Sequence, residues 1–275
     1  MDIKNHDIAF PSCWEELSPS EWKYLLKLAH LLKTREKLSL EDVLREWARF
    51  VLRGRGMRNL TGTDNLVLIH ELGRTLTWMW KEDEGKMLML TYDSTLNLFP
   101  SWRCYRGPLS HGADLSFGEF RHAMAVANDY TLNHAPASLD ALAGILYRKR
   151  GDRESGAWRE PFNAAFLERY TRRTAPMPAY LKWGVYVWFS AFCHFLLSGT
   201  FVIDGNEACF EPLFGSSGEE TGDKSLGLDS ILYSVAESGV FGNISETDRA
   251  PLLKVLMKLL DDYYKAEHLK KELKQ

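Results

Sequence analysis

The sequence predicts a mainly α-helical protein, built as an irregular multi-helix bundle with one or two small β-hairpins. Helix-start signals precede several segments in which apolar residues recur at helical spacing, whereas the alternating runs typical of strands are few and short. The chain has 275 residues, of which 45% are apolar and 26% charged. These proportions are typical of a globular protein and exclude a disordered chain or a disulfide scaffold.

Serine residues mark the starts of the first two predicted helices. Ser18 stands three residues before Glu21, and Ser39 stands three residues before Asp42, which is the spacing of a capping box. The apolar residues that follow each serine recur at helical spacing. The apolar stretch 64–80 is predicted to form a third helix because of its length.

The next segment is predicted to contain the first hairpin. The runs 87–92 and 95–99 flank a short Asp-Ser turn, a pattern typical of two antiparallel strands. Residues 100–114 are expected to form a loop. A capping signal at 116–119 then begins a helix, and the apolar pattern of 139–147 predicts another.

The second half alternates between helices and turn-forming segments. Residues 148–156 are charged and contain glycine, which predicts a surface loop, and residues 215–227 are rich in glycine and are expected to be mobile. The remaining predicted elements are the helices 163–173, 178–197 and 228–237, a hairpin with strands at 201–203 and 208–210, and a last helix from about residue 247 onward.

The domain organisation follows from this order of elements. We expect an N-terminal helical region at 1–150, with its hairpin near 87–99, and a C-terminal helical region at 151–275. The two regions are predicted to form either one compact unit or two closely packed halves.

One apolar segment could be read as a membrane span. Residues 183–203 contain no charged side chain and are long enough to cross a bilayer. However, polar residues such as Ser190 and His194 are scattered through the segment. We therefore interpret it as a buried central helix that turns into a strand near Ser198, with a membrane span as the alternative.

Charge and cysteine content limit the classes of partner and compartment. The chain has 34 Lys and Arg against 37 Asp and Glu, a net charge of -3, so no global positive field favours nucleic acid or an anionic membrane. Its cysteines are widely spaced and form no C-x-x-C pair, which predicts reduced thiols and no zinc ribbon. With no signal-peptide pattern near residue 1, a cytoplasmic location is expected.

Two short motifs resemble metal sites but lack required ligands. His70 begins an H-E-x-x-H pattern, but Arg74 occupies the position of the second histidine. Glu119 and His122 have the E-x-x-H spacing of di-iron bundles, which need a second copy of the motif. We interpret Glu119 as a capping residue, and we predict no cofactor, no metal site and no catalytic residue.

Two alternative functions stay open. An enzyme could build its site from residues distant in sequence, with His122, His134 or His194 converging on a carboxylate. A less favoured hypothesis is a DNA-associated protein that uses two arginine clusters, although no known DNA-binding motif contains them. The first cluster consists of Arg49, Arg53, Arg55 and Arg58, and the second includes Arg148 and Arg150.

Protein–protein contacts are the favoured mode of action. Aromatic residues make up 12% of the chain, and several are predicted to lie in or beside loops, where they could contact a partner. The charged end of the last helix could also dock against a partner. The candidate partner-binding residues are Trp14, Trp102, Tyr105, Trp158, Lys270 and Lys271.

Four segments resemble a group of uncharacterised proteins encoded in prophages and phage-like elements of Bacteroides-type bacteria, near tail genes. The segments are 10–17 (FPSCWEEL), 115–120 (LSFGEF), 139–148 (LDALAGILYR) and 235–242 (VAESGVFG) followed by Thr247. The resemblance implies a structural or assembly role in a tail or injection-type particle, and it carries no catalytic residue.

The leading hypothesis combines the resemblance with the aromatic content. We expect a non-enzymatic phage or prophage structural or tail-assembly protein that binds other particle proteins, or copies of itself. It would work in the bacterial cytoplasm or within a phage-like particle. Nucleic acid and membrane are not expected as partners.

Overall fold

A computed structural model describes residues 9–273, apart from 35–37, 58–59, 83–87, 153–155, 204 and 215–227. These residues form eleven α-helices and a few short antiparallel strand pairs, which confirms the predicted fold class. The expected mobile segment 215–227 and Arg58 of the first arginine cluster lie outside the described residues.

The chain divides into two compact units. The first unit comprises residues 1–94 and 178–184, and the second comprises 95–177 and 185–275. The helices are α1 (Pro19–Thr34), α2 (Leu40–Gly54), α3 (Thr63–Arg74), α4 (Phe117–Asn133), α5 (Pro136–Leu146), α6 (Leu167–Thr174), α7 (Ala179–Ser198), α8 (Glu211–Phe214), α9 (Leu228–Glu237), α10 (Ile244–Arg249) and α11 (Leu252–Glu272).

The strands form three small sheets. Strand β1 (Trp80–Glu82) pairs with β2 (Leu88–Leu90), β4 (Tyr105–Arg106) lies between β3 (Ser101–Trp102) and β5 (Arg148–Lys149), and β6 (Thr200–Ile203) pairs with β7 (Asn206–Cys209). All of these pairs are antiparallel. The β6–β7 pair confirms the second predicted hairpin.

Capping boxes begin α1 and α2 as the sequence predicts. Ser39 Oγ accepts a hydrogen bond from the Asp42 backbone N–H, and the Asp42 carboxylate accepts one from the Ser39 backbone N–H at 3.1 Å. Ser18 and Glu21 make the same reciprocal pair at 3.2 and 2.7 Å. Both helices then bury their apolar faces, and Trp47 of α2 donates its indole N–H to the Glu21 carbonyl at 3.0 Å.

Trp14 belongs to the core of the first unit, which corrects its assignment as a partner-binding residue. It begins a short 3-10 helix, is only 2% exposed, and donates its indole N–H to the Thr91 carbonyl at 3.1 Å. The rings of Trp22, Trp78 and Tyr92 surround it at centroid distances of 5.6, 4.8 and 5.0 Å. The large ring is buried because these aromatic residues enclose it.

The segment after α3 differs from the prediction. The helix expected over 64–80 ends at Arg74, continues as a 3-10 turn, and enters β1 at Trp80. Strand β2 pairs with β1, so the predicted pairing with 95–99 is wrong. Residues 95–99 are instead irregular, and the Asn97 side chain there is buried and donates to the Pro108 carbonyl at 2.7 Å.

The second unit is built around α4, α5 and α6. Helix α5 packs against both of the others, and Gly144 permits a close approach because a Cβ at this position would lie 2.7 Å from the Thr171 backbone nitrogen of α6. The expected domain boundary at 150 would cut through this packing. The boundary is wrong because Arg148 and Arg159, on either side of it, bind the same carboxylate in this unit.

The predicted loops 100–114 and 148–156 contain the sheet β3-β4-β5. Arg103 and Cys104 connect β3 to β4, and Arg103 takes the left-handed conformation with φ of 52°. Because turns of this kind favour Gly or Asn, an arginine there gives no sequence signal for a hairpin.

Helix α7 confirms the prediction of a helix that turns into a strand near Ser198. The buried residues of α7 in the second unit include Val185, Phe189, Phe192 and Leu196. In the described part of the chain, no helix combines the length and apolar character needed to cross a membrane. The last predicted helix is divided in two, because Pro251 separates α10 from α11.

Candidate functional site

A groove with a volume of about 800 Å³ runs between α2 and α3 in the first unit. One wall carries the charged residues of α2, and the other carries apolar residues of α3. Leu38 also lines the groove. We call this surface the α2–α3 groove.

The apolar wall results from how α3 packs. Ile69 is 1% exposed and Gly73 is buried, and a Cβ on Gly73 would lie 3.5 Å from the backbone nitrogen of Arg45 in α2. The three consecutive residues before Ile69 cannot all face inward, because adjacent helical positions point in different directions. Their exposed fractions are 48% for Leu66, 58% for Val67 and 38% for Leu68.

The charged wall consists of Asp42, Arg45, Glu46 and Arg49, which share one side of α2. Neighbours along the helix already pair, with 2.5 Å between Arg45 Nη2 and Asp42 Oδ1 and 2.6 Å between Arg49 Nη1 and Glu46 Oε2. Exposed pairs of this kind stabilise a helix only slightly. Exchanging them for pairs with another molecule therefore costs little.

The capping box also lowers the pKa of one acidic residue in this wall. Hydrogen bonds from the side chain and backbone of Ser39, and then from Arg45, lower the pKa of the Asp42 carboxyl to about 2. Asp42 is ionised at neutral pH in any case, and its lowered pKa keeps it ionised in more acidic solution as well. The wall presents acid, base, acid and base in order along the helix.

Comparison with protein-family models, with curated proteins and with solved structures found no match for this chain. The function of the groove therefore has to follow from its own geometry.

The first arginine cluster does not form one basic surface. Arg49 lines the α2–α3 groove, Arg53 is exposed at the end of α2, and Arg55 turns away to bind Glu21, with 3.0 Å between Arg55 Nε and Glu21 Oε1. The Arg55 guanidinium also donates to backbone carbonyls at Ala9 and Glu16. These contacts use Arg55 to hold the N-terminal segment, which corrects its assignment to nucleic-acid binding.

Arg148 is buried in the second unit, which corrects its assignment to the second arginine cluster. It binds the Glu119 carboxylate through both terminal nitrogens, at 2.8 and 3.0 Å. Arg159 binds the same carboxylate, and its Nε lies 2.6 Å from Asp114 Oδ2. We call Glu119, Arg148, Arg159 and Asp114 the buried ion cluster.

The buried ion cluster is closed to substrate. Glu119 is 0% exposed, and Arg148 and Arg159 are almost completely enclosed. Burial raises the pKa of the Glu119 carboxyl, but the charges and hydrogen bonds of the two arginines outweigh it and hold this pKa below its ordinary value. Glu119 thus carries a paired negative charge in the core. This corrects its interpretation as a capping residue, because only its backbone N–H takes part in the cap, as donor to Ser116 Oγ.

The histidines of the enzyme hypothesis form no ion pair with any described carboxylate. His122 Nδ1 lies 2.8 Å from the Gly118 carbonyl oxygen, and its ring contacts Phe162. His134 ends α4 in the left-handed conformation, and His194 is exposed on α7. The described residues also contain no group of three side chains suited to holding a metal ion.

The other candidate partner residues lie in the second unit. Trp102 and Tyr105 are partly exposed on β3 and β4, and Trp158 donates its indole N–H to the Gly107 carbonyl at 2.8 Å. On α11, Lys270 Nζ lies 3.2 Å from Glu267 Oε1, and Lys271 is exposed. Residues of the α2–α3 groove other than Arg49 were not predicted as a site. The run of three apolar residues at 66–68 was the available signal.

Proposed function

We propose that this chain is a non-enzymatic structural or tail-assembly protein of phage-like particles, which acts through protein–protein contacts. The observation that carries the proposal is the exposure of Leu66, Val67 and Leu68 on α3. Contiguous exposed apolar residues with a polar rim are typical of protein-binding surfaces. The phage context rests on the resemblance of the four segments given above.

The occupant of the α2–α3 groove in this proposal is a second copy of the chain. A two-fold axis between Arg45 and Glu46 would place Asp42 of one copy opposite Arg49 of the other, and Arg45 opposite Glu46. Every charge on the wall would then meet its opposite, which is the self-complementarity that a two-fold interface requires. A partner of a single charge would repel half of these residues.

Apolar burial would supply most of the affinity of this contact. Leu66 and Val67 stand beside the charged row, so the same docking would remove both side chains from water. The charged row would then select the orientation of the two copies.

Leu66→Asp is expected to weaken self-association at least about tenfold, because it replaces apolar burial worth about 1.5–3 kcal/mol with a buried charge. Light scattering after size exclusion, over a range of concentrations, measures the association. The wild type should approach twice the chain mass of 31.6 kDa as concentration rises.

Leu132→Asp is the matched control, since Leu132 is 80% exposed on α4 and lies outside the groove. Circular dichroism should show that both variants are folded. A wild type that stays monomeric at every concentration contradicts a second copy as the occupant. Equal effects of the two substitutions contradict the groove as the interface.

A further inference from the structure

The sheet β3-β4-β5 presents an aromatic and cationic face in the second unit. Trp102 pairs with Tyr105, and Tyr105 pairs with Lys149. Paired residues of antiparallel strands point to the same side of a sheet, so these three side chains share one face. Arg106 and the buried Arg148 are paired on the opposite face.

The two aromatic rings on this face form a stacked pair, which we call the platform. The rings of Trp102 and Tyr105 are stacked with centroids 5.8 Å apart and planes 17° apart, and both residues are partly exposed. The Arg103 guanidinium lies 4.7 Å from the Trp102 ring centroid. A stacked aromatic pair with an arginine over one of its rings offers aromatic surface and positive charge together.

Two cations without a carboxylate partner belong to the same surface as the platform. Arg103 and Lys149 are exposed, and neither of them forms an ion pair with a carboxylate in the described part of the chain. Arg173 lies within electrostatic reach of the Tyr105 hydroxyl and shares Glu160 with Arg169. The local charge is therefore positive although the whole chain has a net charge of -3.

We propose that this aromatic–cation face binds single-stranded nucleic acid. Unpaired bases would stack on this aromatic pair, while Lys149 and Arg103, which would move off the Trp102 ring, would contact the phosphates on either side. Stacking of bases on aromatic rings beside a basic surface is a general mode of single-strand binding and tolerates any sequence. A duplex keeps its base faces stacked internally and cannot use the platform.

The binding experiment uses the full chain and a fluorescein-labelled oligothymidylate of about 12 nucleotides, followed by fluorescence anisotropy. Two phosphate contacts predict that affinity falls roughly 5- to 10-fold between about 50 and 200 mM salt. A labelled duplex of the same length should bind more weakly than the single strand. This surface lies wholly within the second unit, so the result is independent of the α2–α3 groove.

Single substitutions separate stacking from charge. Trp102→Ala is expected to weaken binding at least about fivefold through loss of stacking, and Lys149→Glu is expected to weaken it and flatten the salt dependence. Tyr264→Ala and Lys254→Glu, at exposed positions on α11, are the matched controls and should leave affinity unchanged. Circular dichroism shows whether each variant is folded.

Three outcomes would overturn the proposal. The first is no binding of the oligothymidylate at the lowest salt. The second is a duplex that binds as tightly as the single strand. The third is a loss of binding in Lys149→Glu but not in Trp102→Ala. Binding would then depend on charge and not on base stacking, as expected of a surface that binds any polyanion.

Discussion

Glu119→Ala is expected to lower the free energy of unfolding by about 3–5 kcal/mol. The substitution leaves Arg148 and Arg159 buried without the carboxylate that both of them bind. Arg159 would keep only Asp114 as a partner and Arg148 would lose its carboxylate, and a buried guanidinium cannot regain hydration without opening the fold. Urea unfolding followed by circular dichroism measures the change.

Glu267→Ala provides the control in the same unit. Glu267 pairs with Lys270 on the outside of α11, with the Lys270 side chain 68% exposed, so its removal should change stability by less than about 1 kcal/mol. Equal effects of the two substitutions would show that the Glu119 carboxylate is not enclosed by its arginines.

The Glu119 substitution also has a pH signature. Because the folded-state pKa of this carboxyl lies below its ordinary value of 4.5, its contribution is complete above that value and is lost as pH falls through the folded-state pKa. The stability gap between the wild type and Glu119→Gln should therefore narrow as the pH falls below about 4.5. A constant gap would contradict the paired charge.

Trp47→Ala is expected to destabilise the first unit by about 3–5 kcal/mol. The side chain is 0% exposed, its ring meets Phe10 edge-on at 6.2 Å, and its indole N–H is bonded to the Glu21 carbonyl. The substitution leaves a large cavity between α1 and α2 and removes the hydrogen bond from the indole N–H to the Glu21 carbonyl. Thermal unfolding of purified protein measures the loss.

Trp47→Phe separates the two contributions. It retains most of the ring volume but loses the indole N–H, so a loss of about 1–3 kcal/mol is expected. If Trp47→Phe cost as much as Trp47→Ala, the hydrogen bond rather than packing would hold α2 in place. If neither variant changed stability, Trp47 would not be a core residue.

Local signals explain the parts of the fold that sequence predicts. The serine starts at Ser18, Ser39 and Ser116 each accept a hydrogen bond from the backbone N–H three residues later. Apolar periodicity likewise predicts the buried faces of α1 and α2. These features depend on neighbours within one helical turn, so the chain itself contains the information.

Contacts between distant residues explain the parts that sequence does not predict. Glu119 and Arg148 are 29 positions apart, and no spacing rule links a capping glutamate to an arginine in an apparent loop. The sequence also places Trp14 in or beside a loop, and only the tertiary fold shows that Trp22, Trp78 and Tyr92 enclose it. Such placements need the tertiary fold.

The sequence indicates only part of the α2–α3 groove, for the same reason. The run at 66–68 is apolar in the sequence, but its exposure depends on Ile69 and Gly73 being the side of α3 that packs. The charge order of Asp42, Arg45, Glu46 and Arg49 is also present in the sequence. Only the tertiary fold shows that this row is self-complementary, because it places these four residues in the same groove as Leu66 and Val67.

A charge-swap mixing experiment tests the two-fold contact most directly. Arg45→Glu and Glu46→Arg should each weaken self-association, because each places like charges opposite one another across the axis. Mixing the two folded variants should restore association, since each altered residue then faces an opposite charge on the other copy. The contact is contradicted if the mixture associates no more tightly than either variant alone, as measured by sedimentation velocity.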